Sequence, residues 1–212
     1  MEKPVSEDLH EKIRLNSFGE KSHSLLLNNS QFILGNTSIK LAEISHFRFG
    51  TKLLQFGMFP VGRSYQISLK TATQEFNLVL RSFFGIRDNY LAGLYENLAD
   101  NLWLRIGERL LKDAVAALKT NNSFRVGTCQ IIKTGILLRK SPSSKVILIL
   151  WRDLSYVKKY NRLEINSKND TRIWFNLYFL EQWNVEVLMD LLDWIFEEGG
   201  LAELENYTDS QE

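Results

Sequence analysis

The 212-residue sequence is poor in the residues that build covalent and metal frameworks: one cysteine, three prolines and three histidines. With Cys129 alone, no intrachain disulfide and no thiolate metal cluster can form, which agrees with a reducing compartment. Cys129 itself reads as a small buried hydrophobe. His10, His23 and His46 fall in three separate segments without HxH or HExxH spacing, so no metal site is expected. Neither GxxxxGK[ST] nor GxGxxG occurs, which disfavours nucleotide use, and the absence of Gly-x-Ser-x-Gly leaves nucleophilic catalysis without support. No stretch approaches the roughly 18 uninterrupted apolar residues that span a bilayer. The start, Met1 to Asp8, has no apolar run of signal-peptide length, and a cytoplasmic location is the expectation. These absences lead to a non-enzymatic reading with no catalytic residue, no metal and no cofactor.

What is present is the composition of a folded chain. Hydrophobic residues make up 44% and aromatics 12%, enough to bury a core in one or two domains. The formal net charge of +1 hides a division. Residues 121–172 carry 11 Lys and Arg against 3 Asp and Glu, a net of +8, whereas residues 173–212 carry 10 acids and no Lys or Arg. Such sorting makes either a basic ligand surface or a basic sheet that attracts an acidic helix.

One pattern occurs twice. Ile39-Lys40-Leu41-Ala42-Glu43-Ile44-Ser45 and Ile149-Leu150-Trp151-Arg152-Asp153-Leu154-Ser155 share apolar, any, apolar, any, acidic, branched apolar, serine. Their offset is 110, but Ile67 and Leu69 register with Leu163 and Ile165 at an offset of 96. The difference of 14 marks an insertion in the first copy, at residues 50–63, with six large apolar residues among three glycines and a proline.

Along the chain, Ser6–Leu15 has the acids and spacing of a short docking helix. Short apolar runs parted by Asn and Gly follow, the mark of antiparallel hairpins, and Tyr65–Leu69 and Glu75–Leu80 alternate cleanly. From Asp88, Leu91, Leu94, Tyr95, Leu98, Leu102, Ile106 and Leu110 recur at helical spacing, which predicts one helix over 88–119. The second half repeats the plan with about seven strands and a helix capped by Asn184 and stopped by Gly199-Gly200. The acids Glu186, Asp190, Asp193 and Glu197 read as its solvated face.

The run Asn184–Leu192, together with Lys133-Thr134-Gly135-Ile136-Leu137-Leu138 followed by Ile149-Leu150-Trp151-Arg152-Asp153-Leu154, resembles bacterial pleckstrin-homology-like (PH-like) modules. The resemblance implies an α+β fold of two PH-like modules, each a bent antiparallel sheet of about seven strands closed by a C-terminal helix. The division would be an N-terminal arm at 1–23, module 1 at 24–120, module 2 at 121–200 and a tail at 201–212. It also implies binding rather than catalysis, through protein contacts or headgroups. No dense Lys-x-Arg cluster of the phosphoinositide-binding kind is present.

Two sets of residues are candidates for binding. Lys133, Arg139, Lys140 and Lys145, with the serines of 141–144, read as two neighbouring turns that hold an anion, the alternative function being peripheral binding of anionic lipid headgroups or other phosphorylated ligands. Phe56, Met58 and Phe59 read either as a loop that docks a protein partner or as an extra hairpin packed internally. Nucleic acid is disfavoured, since the charge is near neutral and no recognition helix or RNP-like motif occurs.

Overall fold

The structure, a computed structural model, describes residues 8–19, 21–139 and 145–209. The chain divides into two compact units, Met1–Glu108 and Arg109–Glu212. The fold is α+β, with antiparallel sheets and, among the described residues, three α-helices and no closed barrel.

Unit 1 begins with β1 (Leu9–Ile13), β2 (His23–Leu27), β3 (Gln31–Leu34) and β4 (Thr37–Lys40), which pair in sequence order as one sheet. Leu9–Ile13 is therefore a strand, not part of the helix its acids suggested: Leu9 lies opposite Leu27 and Ile13 opposite His23. A ten-residue helix is marginal on its own, whereas pairing with β2 satisfies the backbone of residues 9–13 and buries Ile13 completely. A single 3-10 turn at Leu41–Glu43 then leads to β5 (His46–Phe56), β6 (Phe59–Lys70) and β7 (Glu75–Phe83), a second sheet. Helix α1 follows at Asp88–Lys119 and runs unbroken through Gly107, where the Trp103 ring occupies the space that a Cβ would take. The helix packs on the second sheet through aromatic pairs, Phe47 with Trp103 at 5.6 Å and Tyr65 with Tyr95 at 5.5 Å.

Unit 2 has β8 (Phe124–Val126), β9 (Cys129–Ile132), β10 (Gly135–Leu138) and β11 (Ile147–Leu150) in one sheet, then a 3-10 turn at Trp151–Asp153. β12 (Leu154–Lys158), β13 (Arg162–Ser167) and β14 (Trp174–Tyr178) form the other sheet, followed by α2 (Val185–Glu197) and α3 (Gly200–Asp209). Asn184 stands at the N-cap of α2 in the left-handed region (φ 61°) without a side-chain capping bond. Residues 200–209, expected as a tail, are helical and bury Leu204. The core gathers Trp151, Leu154, Leu163, Ile165, Leu177, Leu188, Leu191 and Leu192, and Leu118 from the last turn of α1 joins it. The expected solvated face of α2 is not uniform, because Glu186 is buried and Asp193 accepts hydrogen bonds from the Tyr156 hydroxyl at 2.7 Å and the Lys158 ammonium at 2.5 Å. Lys158 thus joins a strand of the basic segment to the acidic helix, a contact of the second of the two kinds that the sorted charge allows.

The element order of unit 1, four strands, a 3-10 turn, three strands and a helix, recurs in unit 2. Both copies of the repeated sequence pattern occupy the same place in that order. Ile39 and Ile149 end buried on β4 and β11, and Leu41 and Trp151 open the two 3-10 turns. The agreement extends to a polar detail. The Thr71 hydroxyl accepts the N–H groups of Thr73 and Gln74 in the turn after β6, and the Ser167 hydroxyl accepts those of Asn169 and Asp170 after β13.

Candidate binding sites

Residues 50–63 are not a separate hairpin; they lengthen β5 and β6 into one ribbon. Pairing runs from His46 opposite Lys70 out to Phe56 opposite Phe59, with one register shift at Leu54/Gln55 near Pro60. β7 pairs with β6 only from Gly62 inward, so residues 55–61 lie beyond the third strand as a two-stranded ribbon. Gly57 turns the tip with φ 62°, a value that two-residue hairpin turns demand and that glycine adopts without a Cβ clash. Around it Phe56, Met58 and Phe59 are 78%, 90% and 73% exposed, and Leu53 is also exposed. Large apolar side chains are ordinarily turned inward, so a cluster this open is an unusual feature of a folded surface. From residue 44 to residue 74 there is no Asp or Glu, against four Lys and Arg. Two of these four, Arg48 and Arg63, pair with Glu75 and Asp88 from outside that stretch.

Among the described residues the predicted anion residues fall in two places. Lys133 lies in the turn before β10 and exposed Arg139 just past its other end, six residues and roughly 20 Å of extended chain away. Lys145, before β11, is at the same strand end as Arg139, because Leu138 is opposite Ile147. Lys140 and the serines of 141–144 lie outside the described residues. Lys133 instead borders a groove of about 430 Å³ in unit 2, lined also by Leu150, Trp151, Arg152, Leu201 and Leu204. Its carbonyl accepts the indole N–H of Trp151 at 2.7 Å, which fixes the floor of that groove.

A basic pocket that sequence reasoning did not identify lies in unit 1. Lys12, Arg14, Ser22, Arg87 and Tyr90 surround about 410 Å³ of open space. Reading 6–15 as a helix concealed it; with a strand's period of two, Lys12 and Arg14 share a face.

Cys129 is buried, which pushes its thiol up to about 12 and keeps it protonated at neutral pH. Burial, aided by the hydrogen bond to Asp88, likewise pushes the Tyr65 hydroxyl up to about 12. Among the described residues no group of three His, Cys, Asp or Glu side chains stands close enough to hold a metal ion, and no helix is long and apolar enough to cross a membrane. No protein-family model, curated protein or solved structure matches the chain.

Proposed function

We propose that this chain is a non-enzymatic binding or scaffold protein made of two PH-like modules in tandem, and that it grips a protein partner with the tip of the β5–β6 ribbon. The element order shared by the two units supports the tandem reading, as do the paired 3-10 turns and the matched Thr71 and Ser167 turns. The observation that carries the docking reading is the exposure of Phe56, Met58 and Phe59 on a glycine turn beyond the third strand. Aromatic anchors presented this way fill pockets on a partner and supply most of the energy of such contacts. The alternative, headgroup binding at Lys133, Arg139, Lys140 and Lys145, is supported only by the shared strand end of Arg139 and Lys145.

The test is photo-cross-linking in the cell of origin, with a photoreactive amino acid at position 58 of the full chain. A discrete protein adduct that disappears when Phe56 and Phe59 are both changed to Ser supports the reading, provided the double variant keeps the parent melting temperature. An adduct indifferent to those changes, or none, refutes it. Co-sedimentation of the same proteins with anionic vesicles through the tip would replace the protein partner with a bilayer.

A further inference from the structure

We infer that unit 1 carries a second, independent site: a pocket for a phosphomonoester or similar dianionic oxyanion, formed by Lys12, Arg14 and Arg87 with Ser22 and Tyr90 beside them. Convergence comes first. Lys12 is on the outward face of β1, Arg14 continues that face, Ser22 leads into β2, and Arg87 and Tyr90 flank the start of α1. Ser17 holds these segments together. Its hydroxyl donates to the Ile86 carbonyl at 2.7 Å and accepts the Phe83 N–H at 3.0 Å, while Arg81 N–H bonds the Leu15 carbonyl. Residues 14–17 are thereby fixed alongside the end of β7, and Arg87 follows one residue after the Ile86 tether.

The electrostatics of the pocket are incomplete without an anion. Among the described residues no carboxylate lines it, and none of its three cationic side chains makes a hydrogen bond or ion pair with another described residue. Five other arginines, Arg48, Arg63, Arg109, Arg162 and Arg172, each have a carboxylate within 3.6 Å. Asp88, next to Arg87 in the chain, is not among the residues that line the pocket and is held by the Tyr65 hydroxyl and Arg63. Three like charges gathered without a counterion repel, and the arrangement also sets Arg87 at φ 59° and Phe84 at φ 54°, where side-chain-bearing residues are strained. A doubly charged oxyanion relieves the repulsion better than a single carboxylate. Two guanidinium forks and an ammonium match its oxygens, and the two hydroxyl-bearing residues supply further donors. A helix N-terminus beside the pocket adds favourable potential.

The experiment uses the full chain and two probes, inorganic phosphate by calorimetric titration and phosphatidylcholine vesicles with a few per cent phosphatidylinositol monophosphate by co-sedimentation. The variants are Arg14→Gln and Arg87→Gly, singly and together; glycine suits the φ of residue 87, so folding is preserved and is checked by an unchanged melting temperature without phosphate. The parent protein is expected to bind phosphate, more weakly as salt rises, and each substitution to weaken it about tenfold. Phosphate binding without vesicle binding assigns the pocket to a soluble phosphorylated ligand, and vesicle binding that the double variant loses assigns it to a lipid headgroup. No binding of either probe up to about 50 mM phosphate, or binding that the double variant retains, overturns the inference. Because these substitutions leave Phe56, Met58 and Phe59 in place, the outcome is separate from that of the docking test.

Discussion

Trp151 concentrates the architecture of unit 2 in one side chain, and its replacement gives a quantitative test. It opens the 3-10 turn after β11, is 2% exposed and donates its indole N–H to the Lys133 carbonyl at 2.7 Å. Unit 1 has Leu41 at the corresponding place. Changing Trp151 to Leu thus imposes the other unit's residue on this core. The smaller side chain leaves about 60 Å³ unfilled, which at about 24 cal/mol per Å³ costs about 1.5 kcal/mol. Loss of the indole donor adds about 1 kcal/mol, the low end for an orphaned acceptor, because the neighbouring groove admits water to Lys133. The expected loss is about 2.5 kcal/mol, a shift of about 1–2 M in the urea midpoint of unit 2 at the slopes usual for its size. Trp151→Phe keeps most of the volume and loses the bond, so it should cost about 1 kcal/mol. Urea unfolding followed by far-ultraviolet circular dichroism measures both. Equal effects in the two variants would show that ring volume contributes nothing, and a loss below about 0.5 kcal/mol in the leucine variant would refute the packing argument.

Thr71→Ala and Ser167→Ala each remove a hydroxyl that accepts two backbone N–H groups in a turn; each should cost about 1–2 kcal/mol of its own unit's stability, read by urea unfolding, and a neutral result in either would deny the turn its role. His46 should make stability pH-dependent. Burial first and the Lys70 ammonium second hold its imidazole below the usual value, so the unfolded chain binds the proton more readily than the folded one. Its contribution is present above about pH 6.5 and is lost as pH falls through the lower, folded value. Comparing melting temperatures of the parent and His46→Gln between about pH 7.5 and pH 5 checks it, since the variant should lose part of the acid-side decline and an unchanged profile would remove the claim.

The antiparallel strands and long helix were legible because their signals are local. Tyr65, Ile67 and Leu69 alternate, α1 occupies the expected 88–119, and both copies of the repeated pattern lie at the same place in the element order, although the pattern itself did not announce the 3-10 turns found there. The 14-residue surplus was legible too, but not its form, because a longer strand and an added loop have the same count. β1 was misread for a different reason. Acids near Ser6 imitate a helix start, and only the distant partner β2 selects the strand. That error hid the pocket at Lys12, Arg14 and Arg87, whose members are brought together by hydrogen bonds across 64 to 69 residues at Ser17. Conversely, Lys133 and Arg139 look like neighbours in the chain but stand at opposite ends of β10, since nearness in sequence becomes distance along an extended strand.

The boundary inside α1 has a consequence for how this polypeptide can be cut and how it is made. Leu118 is wholly enclosed in the unit 2 core, with Leu111 and Val115 packed against it, although the helix that carries them begins at Asp88. A fragment starting at residue 121 would lack those three side chains and should be insoluble or molten, whereas one starting at residue 109 keeps them. On the ribosome the same residues emerge ahead of every strand of the second half, so its foundation is already exposed when β8 appears.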